Sequence, residues 1–232
     1  MKSLGTRWLA PTAILLLSTA CENDPPPVAI DEYPPRIATA LCRLAFDCCS
    51  EADRMRLLAP FGATTPPADV EACEAQVRSV TEASYATIAA SVDAGRSLYD
   101  ASDAARCLEA WDAVSCDDFR GVMSERVSLD PSCETMLGGT LAPGAECAGF
   151  FECSTGVCGP EVDGTPGTCW TIAAEGEPCT LVCEAGFFCD TSAEAPVCVA
   201  ARDNGEACAS PIQCRSLRCV DGVCEPAELL CD

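Results

Sequence analysis

Histidine is absent from this 232-residue chain, and lysine occurs only at position 2. Without histidine, the chain has no Ser-His-Asp or Cys-His catalytic arrangement and no histidine-containing zinc site. It also lacks the C-x-x-C spacing of redox and haem-attachment motifs, a P-loop and the G-x-S-x-G sequence. These absences predict that the chain is not an enzyme, has no catalytic residues, and binds neither a cofactor nor a metal.

Three weaker patterns leave that prediction unchanged. Asp117 with Asp118, or Glu109 with Asp112, would supply the carboxylate pair of a glycoside hydrolase, but such residues are typical of a helix surface. The segment 203–206, Asp-Asn-Gly-Glu, lacks the alternating ligands of an EF-hand loop, so we interpret it as a turn.

Cys42, Cys48 and Cys49 could form either disulfide bridges or a metal-binding or redox cluster. An oxidising compartment disfavours free thiolates, and no histidine can complete a zinc site. We therefore expect these cysteines to form structural bridges.

Positive charge is scarce. The chain carries 14 basic and 36 acidic residues, a net charge of −22. Such a surface repels nucleic acid, and no basic patch offsets it. We expect a solvated acidic surface and no nucleic-acid partner.

Long apolar runs are also missing, apart from one near the N-terminus. The stretch from Trp8 to Ala20 follows Lys2 and Arg7, and its 13 residues are fewer than the roughly 20 that span a bilayer as a helix. It predicts a cleaved signal peptide over residues 1–20.

The run Leu17-Ser18-Thr19-Ala20-Cys21 resembles the lipobox of bacterial lipoproteins, although Ser18 stands where leucine is commonest. The resemblance implies that Cys21 carries a diacylglycerol and a further acyl chain such as palmitate. These lipids would anchor the chain in the bacterial cell envelope, at the outer membrane and outside the cytoplasm. The alternative is ordinary cleavage after Ala20, which would release a secreted chain with a free thiol. Setting Cys21 aside leaves an even number of cysteines, which favours lipidation.

Prolines follow the proposed anchor at 25–27 and again at 34–35. Proline at this density favours extended polyproline II. The sequence thus predicts a lipid-anchored, proline-rich stalk over residues 21–35.

Cysteine is unusually frequent, with 21 in the chain of 232 residues. That frequency is typical of disulfide scaffolds and of oxidising compartments. We expect disulfides at Cys42, Cys48, Cys49, Cys73, Cys107, Cys116, Cys133, Cys147, Cys153, Cys158, Cys169, Cys179, Cys183, Cys189, Cys198, Cys208, Cys214, Cys219, Cys224 and Cys231.

Composition divides the rest into a helical domain, 36–137, and a cysteine-rich part, 138–232. A first helix is expected to begin at Pro34-Pro35, and Ser50 with Asp53 can cap a short second one. The apolar residues that should share the first helix's buried face are Ile37, Leu41, Leu44 and Cys48.

A longer third helix should begin at Thr65-Pro66-Pro67 and end near Gly95, with residues 96–99 extended after it. Ser102 can cap a last helix. The residues expected to face inward are Val70, Cys73, Val77, Val80 and Ile88 in the third helix, and Ala104, Cys107, Leu108, Trp111 and Val114 in the last.

The cysteine-rich part contains three units of four cysteines, at about 141–171, 173–200 and 202–226, followed by a tail. Each begins with G-x-x-C, and the leading cysteines lie 32 and 29 residues apart. Units this small need crosslinks to fold. The four-cysteine sets are Cys147, Cys153, Cys158 and Cys169; Cys179, Cys183, Cys189 and Cys198; and Cys208, Cys214, Cys219 and Cys224.

Short hairpins are expected inside the units. Asp221-Gly222 is typical of a tight hairpin turn. Phe150-Phe151 and Phe187-Phe188 are expected to occupy similar places in small local cores, and an exposed aromatic binding face is the alternative.

The cysteine spacing of residues 144–226 resembles the N-terminal cysteine-rich region of Dickkopf proteins and, more loosely, EGF-like modules. The likeness covers the cysteine framework alone and implies architecture, not Wnt antagonism. Most of the chain resembles uncharacterised cysteine-rich lipoproteins of myxobacteria. The shared features are the lipobox, the pattern Leu41-Cys42 with Cys48-Cys49, and the repeats.

The sequence thus predicts a small disulfide-rich fold, with an α-helical domain followed by three cysteine-rich β-hairpin repeats. The seven cysteines of the first region and the 13 of the second are odd numbers, so at least one bridge should cross between them; Cys133 with Cys231 is a candidate. We expect a non-catalytic interaction module for an extracellular or periplasmic protein or glycan. The alternatives are a structural envelope component and an inhibitor of a secreted protease.

Overall fold

The computed structural model describes residues 24–125, 129–159, 165–179, 182–192, 194–227 and 231. It shows a helical N-terminal region followed by small two-stranded antiparallel hairpins, with ten disulfides. The predicted small disulfide-rich fold is confirmed. The predicted signal peptide and the predicted lipidation site Cys21 lie outside the described residues.

The described residues of the helical region form six α-helices and a pair of short strands. The helices are α1 (Tyr33–Cys48), α2 (Glu51–Leu58), α3 (Val70–Asp93), α4 (Ala101–Ala113), α5 (Cys116–Glu125) and α6 (Pro131–Thr135), and a 3₁₀ turn at Ala59–Phe61 follows α2. Strand β1 (Ser97–Tyr99) pairs antiparallel with β2 (Leu137–Gly139), which brings the end of this region back to the end of α3.

The predicted stalk extends too far toward the helices. Val28 is 1% exposed, its backbone N–H donates to the Ala101 carbonyl, and its own carbonyl accepts from the Tyr99 hydroxyl. Helix α1 begins at Tyr33, so its prolines lie inside its first turn, where a missing N–H leaves no bond unmade. From Val28 onward the chain belongs to the helical region, because Val28 and Tyr33 bury apolar surface there.

Side-chain caps set the starts of the next helices. Ser50 caps α2 as predicted, since its hydroxyl accepts from the Asp53 N–H. Helix α3, however, is capped by Asp69, whose carboxylate accepts from the Ala72 N–H, and not by Thr65 and its prolines. Proline has no side-chain oxygen that could accept from the first N–H groups of the helix, whereas aspartate is a preferred N-cap residue.

The cap of α4 and the helices that follow it differ from the sequence prediction. Asp100 caps α4, accepting from the backbone N–H groups of Ser102 and Asp103, and these hydrogen bonds lower the pKa of Asp100. Ser102 therefore lies inside the helix. Helix α4 is also not the last one, because the short helices α5 and α6 follow it.

The buried core of this region forms along α1, which packs mainly against α3 and α4. Most of the predicted inward residues are buried, but Val80 is 37% exposed and lies off the contact face. Three disulfides join the helical elements: Cys42–Cys73 links α1 to α3, Cys48–Cys116 links α1 to α5, and Cys107–Cys133 links α4 to α6.

Each cysteine-rich repeat has the same crossed connectivity, first cysteine to third and second to fourth. The six bridges are Cys147–Cys158, Cys153–Cys169, Cys179–Cys189, Cys183–Cys198, Cys208–Cys219 and Cys214–Cys224. The paired strands are β3 (Glu146–Cys147) with β4 (Gly167–Thr168), β5 (Phe187–Asp190) with β6 (Val197–Ala200), and β7 (Cys219–Val220) with β8 (Val223–Cys224).

The turn between β7 and β8 confirms the Asp-Gly prediction. Asp221 and Gly222 have φ angles of 50° and 82°, the left-handed pair that a tight hairpin of this kind requires. Its twist matches that of the flanking strands, which bring Cys219 opposite Cys224.

The left-handed backbone also recurs three residues after the second cysteine of each repeat. Repeats one and two have glycine there, Gly156 at φ 70° and Gly186 at φ 88°, whereas repeat three has Leu217 at φ 55°. A residue with a Cβ is strained in this region, and the Leu217 side chain is 42% exposed, so little burial compensates.

We therefore expect Leu217→Gly to stabilise the protein by roughly 0.5–1 kcal/mol, because the relief of strain exceeds glycine's greater loss of chain entropy on folding. The reciprocal change Gly186→Leu, at a site with open space for a side chain, should destabilise it by about 1 kcal/mol. Guanidinium unfolding of the oxidised chain measures both changes in the free energy of unfolding. Changes of the same sign in the two variants would contradict the role of backbone strain.

One bridge joins the two regions, as the odd cysteine counts predicted, but the pair is not the one proposed. Cys231 bonds Cys49, and Cys133 bonds Cys107. Cys231 is fully buried against the end of α1, and the guanidinium of Arg120 donates to its carbonyl. The three repeats are thus tied to the helices at both ends.

No helix in the described part of the chain combines the length and the apolar character needed to cross a membrane.

Candidate functional site

An apolar pocket of about 440 Å³ lies in the helical region between α1, α2, α4 and α5. We refer to it as the apolar pocket. It is lined by Ile37, Leu41, Arg56, Leu57, Pro60, Phe61, Trp111 and Met123. Its volume and its aliphatic and aromatic walls are typical of sites for small molecules or inserted side chains.

Several contacts fix the walls of the apolar pocket. The Arg43 guanidinium donates to the carbonyls of Trp111 (3.2 Å) and Asp112 (3.1 Å), which holds the end of α4 against α1. The Gln76 amide donates to the Phe61 carbonyl at 3.2 Å and holds the 3₁₀ turn against α3. These bonds, together with the disulfides to α3 and α5, give the pocket a preformed shape.

Electrostatically the apolar pocket is almost neutral. Arg56 is its single charged lining residue among the described residues, and its guanidinium donates to the Asp53 carboxylate at 2.9 Å. Asp53 is also held by the Ser50 hydroxyl. The walls thus offer apolar surface and ring edges, and the charge at the rim is already compensated.

The sequence placed Ile37, Leu41 and Trp111 on inward-facing helix surfaces but did not predict an open pocket. Leu41 and Leu57 are 8% and 7% exposed, whereas Ile37, Trp111 and Met123 are half-buried. Helical periodicity marks an apolar face without showing whether another element fills it. The packing of four elements was needed to find the site.

The carboxylates considered for glycoside hydrolysis do not meet in a cleft. Asp117 has a 91% exposed side chain paired with Arg120, and Asp118 accepts from the Ser115 hydroxyl at the start of α5. Glu109 and Asp112 are exposed on α4. These groups support helix ends and helix surfaces.

The cysteines considered for metal binding are all bridged. Cys42, Cys48 and Cys49 belong to three different disulfides. In each repeat, three sulfurs lie within 4.8 Å of one another because two bridges cross, and a disulfide sulfur is not the thiolate that a metal needs. In the segment 203–206, the Asp203 N–H donates to the Glu206 carboxylate, as in a turn.

The two Phe-Phe pairs occupy different positions. Phe150 lies in a 3₁₀ turn between the first and second cysteines and is 65% exposed, whereas Phe188 lies in β5 just before the third cysteine and is 6% exposed. The predicted local core is therefore wrong for Phe150, because the pairs are not equivalent in the cysteine framework.

A buried polar cluster joins the first repeat to the helices, and we call it the Glu152 cluster. The Glu152 carboxylate accepts from the guanidinium of Arg96 (2.7 and 3.0 Å), the Ser91 hydroxyl (3.0 Å) and the Ala148 N–H (2.7 Å). Ser97 bonds Ser91 and donates to the Phe151 carbonyl. The hydrogen bonds from Arg96 lower the pKa of Glu152 to about 2, although burial opposes the shift.

The Glu152 cluster is structural in character. Its carboxylate is 5% exposed and has four hydrogen bonds from three residues, so it is neither accessible nor in need of a further partner. The cluster fixes the orientation of the first repeat on β1 and α3.

No protein-family model, curated protein or solved structure matches this chain.

Proposed function

We propose that this chain is an exported, lipid-anchored lipoprotein that acts as a non-catalytic binding module, with the apolar pocket as its ligand site. The observation that carries the proposal is an open, preformed apolar pocket in a region locked by disulfides. A preformed site loses little conformational entropy when its ligand binds.

The disulfides support the exported location. Ten bridges need an oxidising compartment, because cytosolic thiols are kept reduced. The bridges use every cysteine except Cys21, which is consistent with a separate fate for that thiol. Together with the lipobox resemblance, this favours a diacylglycerol on Cys21 and an outer-membrane anchor, as in the myxobacterial lipoproteins that the chain resembles.

The Dickkopf-like repeats supply rigidity in this proposal. They are held to the helical region by the Glu152 cluster at one end and by Cys49–Cys231 at the other. The segment from 21 to 27, which precedes the buried Val28, is then the link between the membrane anchor and the folded part.

The chemistry of the apolar pocket favours a neutral apolar group as the ligand. Aliphatic and ring surfaces line it, and its one cation is paired. A glycan would need several hydrogen-bonding groups in the walls, so the pocket favours the apolar group of a small molecule or of a partner protein's side chain.

A fluorescence titration tests the apolar pocket. The oxidised chain without residues 1–21, which keeps all ten disulfides, should bind the neutral dye N-phenyl-1-naphthylamine with increased emission. Ile37→Asp should weaken binding at least tenfold, since it places a carboxylate in an apolar wall.

The matched control is Ile212→Asp, the same change at a site that is 62% exposed in the third repeat. It should leave dye binding unchanged. If Ile37→Asp lowers the thermal stability, Met123→Asp on α5 provides the second variant. Absence of binding to the unsubstituted chain, or equal loss in the control, would contradict the ligand site and favour a structural envelope component. Displacement of the dye by alkanes or by Leu- and Phe-rich peptides distinguishes a free molecule from a protein partner.

A further inference from the structure

A second, smaller pocket lies between the segment before α1 and the C-terminal half of α3. Its volume is about 260 Å³, and its walls include Pro34, Tyr85, Ala86 and Ala89, with Asp31 and Glu82 at the rim. It shares no lining residue with the apolar pocket. We call it the tyrosine pocket.

The aromatic wall of this pocket is rigid. The Tyr85 ring stacks on Tyr33, with ring centroids 5.2 Å apart and an angle of 21° between planes. Tyr33 is 4% exposed, and its hydroxyl lies 3.4 Å from the Cys107 sulfur. Burial raises the pKa of Tyr85 far above its ordinary value, so the ring is a neutral phenol at physiological pH. The face of such a ring attracts cations.

The rim of the tyrosine pocket is acidic. Asp31 and Glu82 are exposed, and neither forms an ion pair or a side-chain hydrogen bond within the described residues. Arg36, on α1, is near Tyr99 but makes no ion pair with either carboxylate. A chain with 14 basic and 36 acidic residues leaves many of its carboxylates without an internal cation.

We propose that the tyrosine pocket binds a small alkylammonium ion. The aromatic face of the pocket offers cation–π attraction to an ammonium group, and the two carboxylates offer charge complementarity. The small apolar side chains can contact short alkyl substituents on the nitrogen. The net charge of −22 also raises the local concentration of cations at the surface. This site is independent of the proposed ligand of the apolar pocket.

Choline and n-butylammonium are the probes, the second representing a primary amine such as a lysine side chain. In an NMR titration of the oxidised chain without residues 1–21, the ligand's alkyl signals report the bound fraction. The double variant Asp31→Asn/Glu82→Gln should weaken binding by about fivefold for each carboxylate removed. The matched control Glu71→Gln/Glu109→Gln changes the net charge equally, at exposed sites on α3 and α4 outside the pocket.

The uncharged choline analogue 3,3-dimethylbutan-1-ol separates charge recognition from apolar contact, and it should bind at least tenfold more weakly than choline. Equal losses in the control variant, equal binding of the uncharged analogue, or no binding of either ammonium ion would each overturn the proposal. Tighter binding of choline than of n-butylammonium assigns the site to quaternary ammonium compounds, and the reverse order assigns it to primary amines; both orders support an alkylammonium site. Unchanged dye binding in the presence of choline keeps the two pockets distinct.

Discussion

Replacing the four cysteines of the third repeat with alanine should unfold that repeat and leave the helical region folded. The buried cluster of this repeat consists of its own half-cystines, Cys208, Cys214, Cys219 and Cys224. Each of its two bridges closes a loop of about ten residues, for which the expected stabilisation is about 3 kcal/mol. No apolar core remains once both bridges are removed.

Hydrogen exchange with mass-spectrometric detection measures this effect, as loss of protection in residues 202–226. The matched control removes one helical bridge, with Cys42→Ala/Cys73→Ala. That bridge lies among Leu44, Val77 and other buried apolar side chains, so the helices should stay protected although they lose about 3–4 kcal/mol. Protection of the third repeat without its cysteines would show that something other than disulfides holds it.

The second large effect concerns the junction between the regions. Glu152→Ala should destabilise the protein by about 3 kcal/mol, because it leaves Arg96, Ser91 and the Ala148 N–H without their shared acceptor. Glu152→Gln keeps an acceptor but loses the charge, and should cost less. Chemical unfolding at pH 7 gives both values.

The same interaction gives a pH dependence with a definite sign. The pKa of Glu152 is lowered from its ordinary value of 4.5 to about 2, so the native state favours the charged carboxylate. The stabilisation that depends on this charge is complete above pH 4.5 and is lost as the pH falls toward 2. The difference in stability between the unsubstituted chain and Glu152→Gln should therefore shrink over that range. A difference that does not change with pH would contradict the role of the charged carboxylate.

Local signals predicted much of the fold. The Ser50 cap of α2 and the Asp221-Gly222 hairpin depend on residues close together in the chain, so their physics is readable from sequence. The cysteine repeats were recognisable because a crosslinked unit of about 30 residues repeats its spacing. Counting cysteines predicted a bridge between the regions without needing any geometry.

The sequence did not predict which of two neighbouring residues caps a helix or which distant cysteines form a bridge. Asp100 and Ser102 are both good capping residues, and the selection depends on how β1 ends against α4. The partners of Cys133 and Cys231 depend on which helices pack together, which cysteine order does not reveal. Both pockets are assembled from side chains far apart in sequence. Periodicity marked Ile37, Leu41 and Trp111 of the apolar pocket without showing an opening, and it marked none of the apolar walls of the tyrosine pocket.

The proposed function requires an exported, acylated chain whose remaining cysteines are all bridged. Intact mass spectrometry of the protein from its own membrane fraction, before and after reduction and alkylation, tests this directly. We predict a chain that begins at an acylated Cys21, with its 20 other cysteines alkylated only after reduction. An unacylated N-terminus, or thiols that react before reduction, would contradict it.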